Sequence, residues 1–362
     1  MLYQLDDLVE PIPGESPVGI NIREDVSPNS LYYQIKDARS AARSIERKNL
    51  EESSTERADS EWQSVYELAL NLLKAHTKDI EVAVWLLEAS TRLYGLKGLY
   101  TSFELLHALV DKYWDTIYPE ADDEDGIEGK VSSITMLNGA EIDGTLIVPL
   151  LSVKVTDSGD ESFAAWQYQQ AIELEKVTDI EKKQKRIDAG TTPLENIEIS
   201  GTQTSYEFYL SLISDVEKNL ESVSKLSDLL DEKCGKDSPP VSKIKTTLKD
   251  TLTYVKHLGR TVIESNEEAG DGSTSEETHS GQGDAQTKKG GPISNRAQAF
   301  NQIKQVANYF RKTEPQSLLP FLLDKCIRWG NMDFPKLLDE LVSDQNTRDL
   351  IFGLLDVEKP SE

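Results

Sequence analysis

Histidine and cysteine side chains can bind metals or act as nucleophiles, and along this sequence they are isolated from one another. No two histidines have the spacing of a metal-binding pair, and the HExxH pattern does not occur. Neither cysteine has a CxxC partner, which argues against a zinc site. We therefore predict no metal site and no cofactor from these side chains, which are His76, His107, His257, His279, Cys234 and Cys326.

Two short patterns have the outline of a functional motif without its essential residues. Residues 121–132 are spaced like a calcium loop with Gly126 at its sixth position, but Ala121 and Ser132 then occupy the first and twelfth ligand positions. Ser222 and Lys225 match SxxK, but they lie in an amphipathic helical pattern without companion motifs. We interpret these as an acidic turn and a chance match. With no phosphate-binding glycine loop in the sequence, we predict no catalytic residue.

Charge and composition narrow the classes of partner. The chain has 362 residues, 39 Lys+Arg against 64 Asp+Glu, and a formal net charge of -25. This charge repels phosphate backbones and anionic headgroups, so neither nucleic acid nor a membrane surface is an expected partner. No apolar run approaches the ~20 residues of a spanning helix, and no signal peptide is recognisable. With two cysteines and no disulfide framework, we expect a cytoplasmic protein.

Apolar periodicity predicts helices through the first third of the chain. A Pro- and Gly-rich N-terminal segment precedes a helix over residues 31–48 and a polar loop. Three amphipathic helices follow, with Ser60 and Asp79 as N-caps of the first two. The apolar face predicted for the first of them consists of Trp62, Val65, Tyr66, Ala69, Leu72 and Leu73. Gly95 is expected to stop the second of them, and Pro119 the third.

The rest of the chain divides by composition. Residues 131–139 favour a short helix, and residues 145–155 are β-branched and read as extended. Residues 161–186 read as helical, and a helical hairpin follows over residues 205–264. We predict an all-α fold with an N-terminal helical domain (1–144), a middle helical region (145–264), a flexible acidic linker (265–291) and a helical C-terminal oligomerisation domain (292–362).

The N-terminal part resembles a known domain over roughly residues 8–140. The segment PIPGESPVGINIRED and the later run from EWQSVYELALNLLKAH to DKYWDTIYPE resemble the ImpA N-terminal domain of TssA proteins from the bacterial type VI secretion system. The residues in register with that pattern are mainly structural in our interpretation: Trp62, Asp79, Trp85, Gly95, Gly98, Tyr113, Trp114 and Pro119.

The C-terminal part resembles the end of short-form TssA proteins. The sequence departs from that pattern at Gln316, Leu318 and Asn295. Thr313 or Glu314 is expected to close one helix, with Ser317 capping the next. The residues that carry the resemblance are Tyr309, Phe310, Arg311, Glu314, Pro315, Trp329 and Gly330.

The resemblance implies a non-enzymatic scaffold at the baseplate and tail that organises or primes polymerisation of the tube and sheath. Its implied partners are baseplate, sheath and tube proteins, extending to membrane-complex proteins, at the cytoplasmic face of the inner membrane. It also implies a ring-like homo-oligomer made by the C-terminal region. From the apolar faces we expect the oligomer contacts at Phe300, Ile303, Phe310, Leu322, Leu323 and Trp329.

Two alternatives remain open at this point. One is a stand-alone α-helical adaptor that binds a partner protein or peptide, although the sequence shows no 34- or 40-residue repeat. The other is an enzyme with a hidden pair of carboxylates inside a helical barrel. Clustered carboxylates of perturbed pKa in a pocket would favour that second alternative.

Overall fold

A computed structural model describes residues 2–52, 58–121, 126–159 and 161–270, together with residues 303, 306, 307, 309–311, 316–330 and 337. Among these residues the regular structure is helical, and β-type pairing is limited to isolated bridges such as Gly19 with Thr77. The prediction of an all-α fold is confirmed. The chain forms two compact units, Met1–Glu268 and Ala269–Glu362.

The described residues form eleven α-helices that begin in the first unit and one in the second. In the first unit they are α1 (Leu5–Val9), α2 (Leu31–Glu52), α3 (Asp59–Ala75), α4 (Ile80–Tyr113), α5 (Gly126–Asn138), α6 (Ile147–Leu151), α7 (Ala165–Glu175), α8 (Ile180–Asp188), α9 (Leu194–Gln203) and α10 (Tyr206–Cys234). Helix α11 (Ser242–Gly270) begins in the first unit and ends two residues past it. The second unit contains α12 (Leu319–Gly330).

The core of the first unit is organised around α4. This helix contacts α1, α3, α5, α6 and α10, and it is apolar on nearly all sides because neighbours surround it. On α3 the six apolar residues of the predicted face are all buried against these neighbours: Trp62, Val65, Tyr66, Ala69, Leu72 and Leu73. Full burial of each large aliphatic side chain contributes about 1.5–3 kcal/mol, so this face fixes the position of α3.

Helix α4 is interrupted at a glycine. Gly95 has φ 60° and ψ -142°, a conformation that other residues adopt at a cost. Ser90 and Gly98 are eight residues apart, a distance of about 12 Å along a continuous helix. A Cβ atom on Gly98 would nevertheless overlap the carbonyl oxygen of Ser90. The chain therefore turns back on itself after Gly95, and the predicted end of a helix at this residue is confirmed.

Helices α10 and α11 form an antiparallel hairpin closed by a short 3-10 helix, Gly235–Asp237. Glu217 on α10 lies 2.9 Å from Lys256 on α11, and the Tyr209 ring lies against Gly259. Helix α11 continues to Gly270, past the predicted start of the linker at residue 265. The rest of that predicted linker falls outside the described residues.

Three local predictions are wrong. Residues 147–151 form α6 rather than an extended segment, because apolar contacts override the β preference of the branched residues. Helix α3 begins at Asp59 after Ala58, so Ser60 is not its N-cap. Helices α1 and α9 were not predicted, and α2 extends to Glu52, into the predicted loop.

Candidate functional site

The N-terminal segment is fastened to the loop between α3 and α4 by a buried lysine. The Lys78 side chain has no exposed surface, and its Nζ donates hydrogen bonds to the carbonyl oxygens of Leu8 and Leu73, each at 2.7 Å. Burial, with the nearby charge of Lys112, lowers the Lys78 pKa to about 8. The amine therefore acts as a structural link between α1 and the end of α3.

Asp79 caps α4 and holds a second part of the same segment. One of its carboxylate oxygens accepts hydrogen bonds from the amides of Glu81 and Val82, at 2.8 and 3.2 Å. Arg23 forms an ion pair with Asp79 and another, 2.5 Å long, with Glu81. The predicted N-cap is confirmed, and the carboxylate is fully used in this structural role.

Backbone hydrogen bonds complete this junction on both sides. The amide of Lys78 donates to the carbonyl of Val18 at 2.8 Å, and the amide of Tyr118 donates to the carbonyl of Lys78 at 3.0 Å. Pro119 follows Tyr118 through a cis peptide bond. Asp79 and Pro119 therefore belong to one structural junction, where three separate parts of the chain meet.

The two tryptophans on α3 and α4 lie in the core beside arginines. Trp62 donates from Nε1 to Glu46 at 2.8 Å, and the Arg92 guanidinium lies 4.2 Å from the centroid of its indole ring. Trp85 lies 5.8 Å from the Arg39 guanidinium, measured to the ring centroid. These cation–π contacts join α2, α3 and α4.

The remaining N-terminal motif residues also make internal contacts. Tyr113 donates from its hydroxyl to the Val9 carbonyl at 2.8 Å. Lys130 donates to the Trp114 carbonyl at 2.7 Å, and its Nζ lies 5.0 Å from the centroid of that indole ring. These contacts give Tyr113 and Trp114 structural roles in holding the end of α4.

The described part of the second unit contains a run of exposed apolar side chains at the start of α12. Leu318 is 74% exposed, Phe321 66% and Leu322 56%, and Leu319 is also exposed. Of the residues expected at an oligomer contact, Leu322 lies in this run, Ile303, Phe310, Leu323 and Trp329 are partly buried, and Phe300 is outside the described residues. We call Leu318, Leu319, Phe321 and Leu322 the α12 apolar patch.

The C-terminal motif residues that the structure describes lie between residues 309 and 330. Arg311 pairs with Asp324, Tyr309 is exposed, and the Lys325 amine lies 4.6 Å from the centroid of the Trp329 ring. Ser317 accepts a hydrogen bond from the Leu319 amide at 3.2 Å, as predicted for a helix cap. Gly330 ends α12, whereas Glu314 and Pro315 lie outside the described residues. The sequence did not single out Leu319 and Phe321, although both belong to an apolar helical pattern.

Comparison with known proteins identifies the family. Residues 9–139 match the family model described as ImpA, N-terminal, type VI secretion system. The chain is 24% identical over 296 residues to the type VI secretion system component TssA1 of Pseudomonas aeruginosa, covering 78% of this chain and 81% of that protein. It also matches the solved N-terminal domain, including the conserved ImpA_N region, of the TssA component from Burkholderia cenocepacia. That match has a TM-score of 0.61 and 25% identity, and covers 72% of this chain and 96% of the solved one.

Together these matches support a TssA-family component of the type VI secretion system. The structural likeness extends past the end of the ImpA N-terminal domain at residue 139, since it covers 72% of the chain. The middle region, for which the sequence showed only helical character, is therefore included in the fold shared with the solved TssA domain.

One pocket in the first unit of this TssA-family chain is rich in arginine. It lies where α2 passes the Gly95 interruption of α4, and its volume is about 580 Å³. Arg43 and Arg47 from α2 and Arg92 from α4 line it. The spacing of Arg39, Arg43 and Arg47, four residues apart, was visible in the sequence and predicts one helix face, but it was not recognised.

The described residues contain no set of three or more His, Cys, Asp or Glu side chains arranged to hold a metal ion. Gly126 begins α5, so residues 126–132 of the calcium-like pattern are helical. In the same part of the chain, no helix combines the length and the apolar character needed to cross a bilayer.

Proposed function

We propose that the protein is a non-enzymatic assembly component of the type VI secretion system that organises or primes polymerisation of the tube and sheath at the baseplate. The observation that carries the proposal is the match of residues 9–139 to the ImpA N-terminal domain, in a chain that is similar to TssA1 over 78% of its length. The buried carboxylates Asp79 and Glu88 both serve structural ion pairs, which gives no support to an acid–base site in this domain.

Self-association is the second part of the proposal. The α12 apolar patch exposes four large apolar side chains within five residues, in a compact unit separate from the ImpA domain. Covering such a patch by a second copy of the chain removes apolar surface from water at about 25 cal/mol per Å². A ring built in this way displays several N-terminal domains to a symmetric tail.

Multivalency explains why such an arrangement suits assembly. Weak contacts between single N-terminal domains and tail subunits become strong when several act together, with a gain of about 10²–10⁴-fold. We place this action at the cytoplasmic face of the secretion apparatus, with baseplate, sheath and tube proteins as partners. A stand-alone adaptor binding one peptide needs no such gain and is the second candidate.

The test compares binding to single and assembled partners. The full chain is immobilised and challenged with purified tube, sheath and baseplate proteins, first as subunits and then as polymers. We expect at least one to be retained, with polymers bound at least about tenfold more tightly than subunits. Leu322→Asp is expected to abolish the preference for polymers, whereas Ile142→Asp, at an 81% exposed position in the first unit, leaves it unchanged.

Failure to retain any of these proteins would remove the assembly function. Retention of one subunit with no preference for its polymer would favour the adaptor instead. Turnover of a small substrate by the purified chain would contradict the non-enzymatic assignment.

A further inference from the structure

The arginine-lined pocket beside Gly95 is not used by the assembly proposal. Its walls come from α2, from the part of α4 that ends at Gly95, and from residues 143–153. A volume of about 580 Å³ lies within the range of ligand pockets, roughly 300–1,000 Å³. The pocket is large enough for a few side chains of a partner and too small for a whole helix.

The charges around the pocket do not balance. The Glu88 carboxylate is fully buried and is engaged by Arg39. The Glu46 carboxylate is engaged by Arg92, with Nε and Oε1 2.6 Å apart. Arg43 lies 3.8 Å from the Glu88 carboxylate and shares it with Arg39.

Arg43 is consequently a cation without a carboxylate of its own. Its side chain is 33% exposed. Burial lowers its pKa, the charge of Glu88 and more weakly that of Glu46 raise it, and the charges of Arg39 and Arg92 lower it, so that the pKa lies below its ordinary value. Desolvating a cation without a matching anion is costly, and an incoming carboxylate would remove that cost. Arg47 is exposed in the same pocket and supplies a second guanidinium to such a ligand.

The acidic groups of the pocket do not cancel this excess. Asp143 lines the pocket, but its carboxylate lies 3.2 Å from the Lys243 amine. Glu46 is held by both Arg92 and Trp62. A basic site in a chain with a net charge of -25 is a local exception, and an acidic partner would meet it by charge complementarity.

Part of the pocket lining is apolar. Val148 is 50% exposed, and Pro149 and Val153 continue the same wall. Gly95 and Gly144 line the pocket without side chains, which leaves room for a ligand backbone. Guanidinium groups and aliphatic side chains that line one pocket fit a peptide in which a carboxylate neighbours an aliphatic side chain.

We propose that this pocket binds an acidic, leucine- or valine-containing peptide segment of a partner protein. The carboxylate lies between Arg43 and Arg47, and the aliphatic side chain covers Val148 and Pro149. Long polyanions such as nucleic acid are disfavoured because the remaining acidic surface repels them. The proposal does not depend on the α12 apolar patch or on the assembly role.

Fluorescence anisotropy with the full chain tests the site. The probe is a fluorescein-labelled peptide of four Leu-Glu repeats, and the matched control peptide has four Leu-Gln repeats. We expect saturable binding of the Leu-Glu peptide, weakened about tenfold or more when glutamine replaces glutamate, because hydrogen bonds to charged groups contribute about 1.5–3 kcal/mol. Binding is expected to weaken as salt rises.

Variants locate the binding on the surface. Arg43→Gln and Val148→Asp are each expected to weaken binding about tenfold, the first by removing the cation and the second by placing a like charge on the apolar wall. Arg186→Gln, at an exposed arginine on α8, is the control and leaves binding unchanged. If Arg43→Gln lowers thermal stability, Arg47→Gln at the exposed position replaces it.

Several results would overturn the proposal. The Leu-Glu peptide could fail to bind saturably at millimolar concentration, or the two peptides could bind equally. Equal binding of the Leu-Glu peptide by the wild type and by Val148→Asp would also overturn it. Stronger binding of a single-stranded oligonucleotide than of the Leu-Glu peptide would likewise reject an acidic peptide as the ligand.

Discussion

The guanidinium of Arg39 on α2 engages both carboxylate oxygens of Glu88 on α4, and the Glu88 side chain has no exposed surface. Burial raises the pKa of Glu88, but hydrogen bonding and charge from Arg39, with the charge of Arg92, outweigh burial and leave the pKa below its ordinary value. This ion pair fixes α2 against α4 and so positions the face of α2 that carries Arg39, Arg43 and Arg47.

Glu88→Gln should be strongly destabilising. The amide cannot balance Arg39, so a charge is left in the interior, and removing one partner of a buried pair costs about 3–5 kcal/mol. The loss is measured by urea unfolding at pH 7. Glu217→Gln, which breaks the exposed pair with Lys256, is the matched control and should cost about 1 kcal/mol or less. Equal decreases in the free energy of unfolding for the two variants would show that the buried pair contributes no more stability than the exposed one.

The same carboxylate should contribute to acid sensitivity. Because the folded pKa of Glu88 lies below its unfolded value, the unfolded state binds more protons between the two values. The stabilisation is complete above the unfolded pKa, about 4.3, and is lost as pH falls through the folded pKa. The stability difference between the wild type and Glu88→Gln should therefore shrink below about pH 4. A difference that stays constant down to the acid transition would contradict this.

Lys78 should also make the protein more stable as pH rises, but on the alkaline side. Its folded pKa of about 8 lies below the unfolded value, so the unfolded state binds more protons between about pH 8 and 10.4. The free energy of unfolding of the wild type, relative to Lys78→Met, should rise across that window by about 1–3 kcal/mol. Lys74→Met removes an exposed amine and is the control variant for this comparison. A flat difference between pH 8 and 10.4 would mean that the Lys78 amine is not desolvated.

The sequence was sufficient to place most helices of the first unit. On α3 the predicted apolar face is the buried face, because one side of a helix repeats every three to four residues and no distant information is needed. The Asp79 cap was equally local, since its oxygen accepts from amides two and three residues later. Predictions of this kind depend only on neighbouring residues.

The interior ion pairs could not be predicted in this way. Lys78 bonds a carbonyl 70 positions away in sequence, and Arg39 and Glu88 are 49 apart. Lysine and glutamate are usually exposed, so a local pattern assigns both to the surface. The α12 apolar patch was incompletely predicted for a related reason: Leu319, Phe321 and Leu322 are exposed while Leu323 is partly buried, and periodicity does not reveal which side of a broad apolar face remains uncovered.

Gly98→Ala should disrupt the turn within α4. The added Cβ would overlap the Ser90 carbonyl, a backbone atom that cannot move by changing a rotamer. Overpacking of a core typically costs about 1–3 kcal/mol, and a backbone clash places this variant at the upper end. Gly190→Ala is the control, because nothing lies within 4 Å of its added Cβ and only the positive φ of 100° opposes the change. The stability of both variants is measured by thermal unfolding. An equal decrease of the midpoint temperature for the two would show that the contact between Gly98 and Ser90 is loose.

Phe321→Asp combined with Leu322→Asp should break self-association while leaving the first unit folded. Both side chains are more than half exposed in one chain, so the substitutions do not disturb its interior, but they place two carboxylates in the surface that a second copy would cover. Burying an unpaired charge costs several kcal/mol, which is enough to dissociate an oligomer held by apolar contacts. Size-exclusion chromatography with light scattering should give a single-chain mass near 40.5 kDa for the double variant and a multiple of it for the wild type. Ile142→Asp, on the first unit, should retain the wild-type mass. A double variant with an unchanged oligomeric mass would place the self-association surface elsewhere. A wild type that is monomeric would show that the chain does not self-associate.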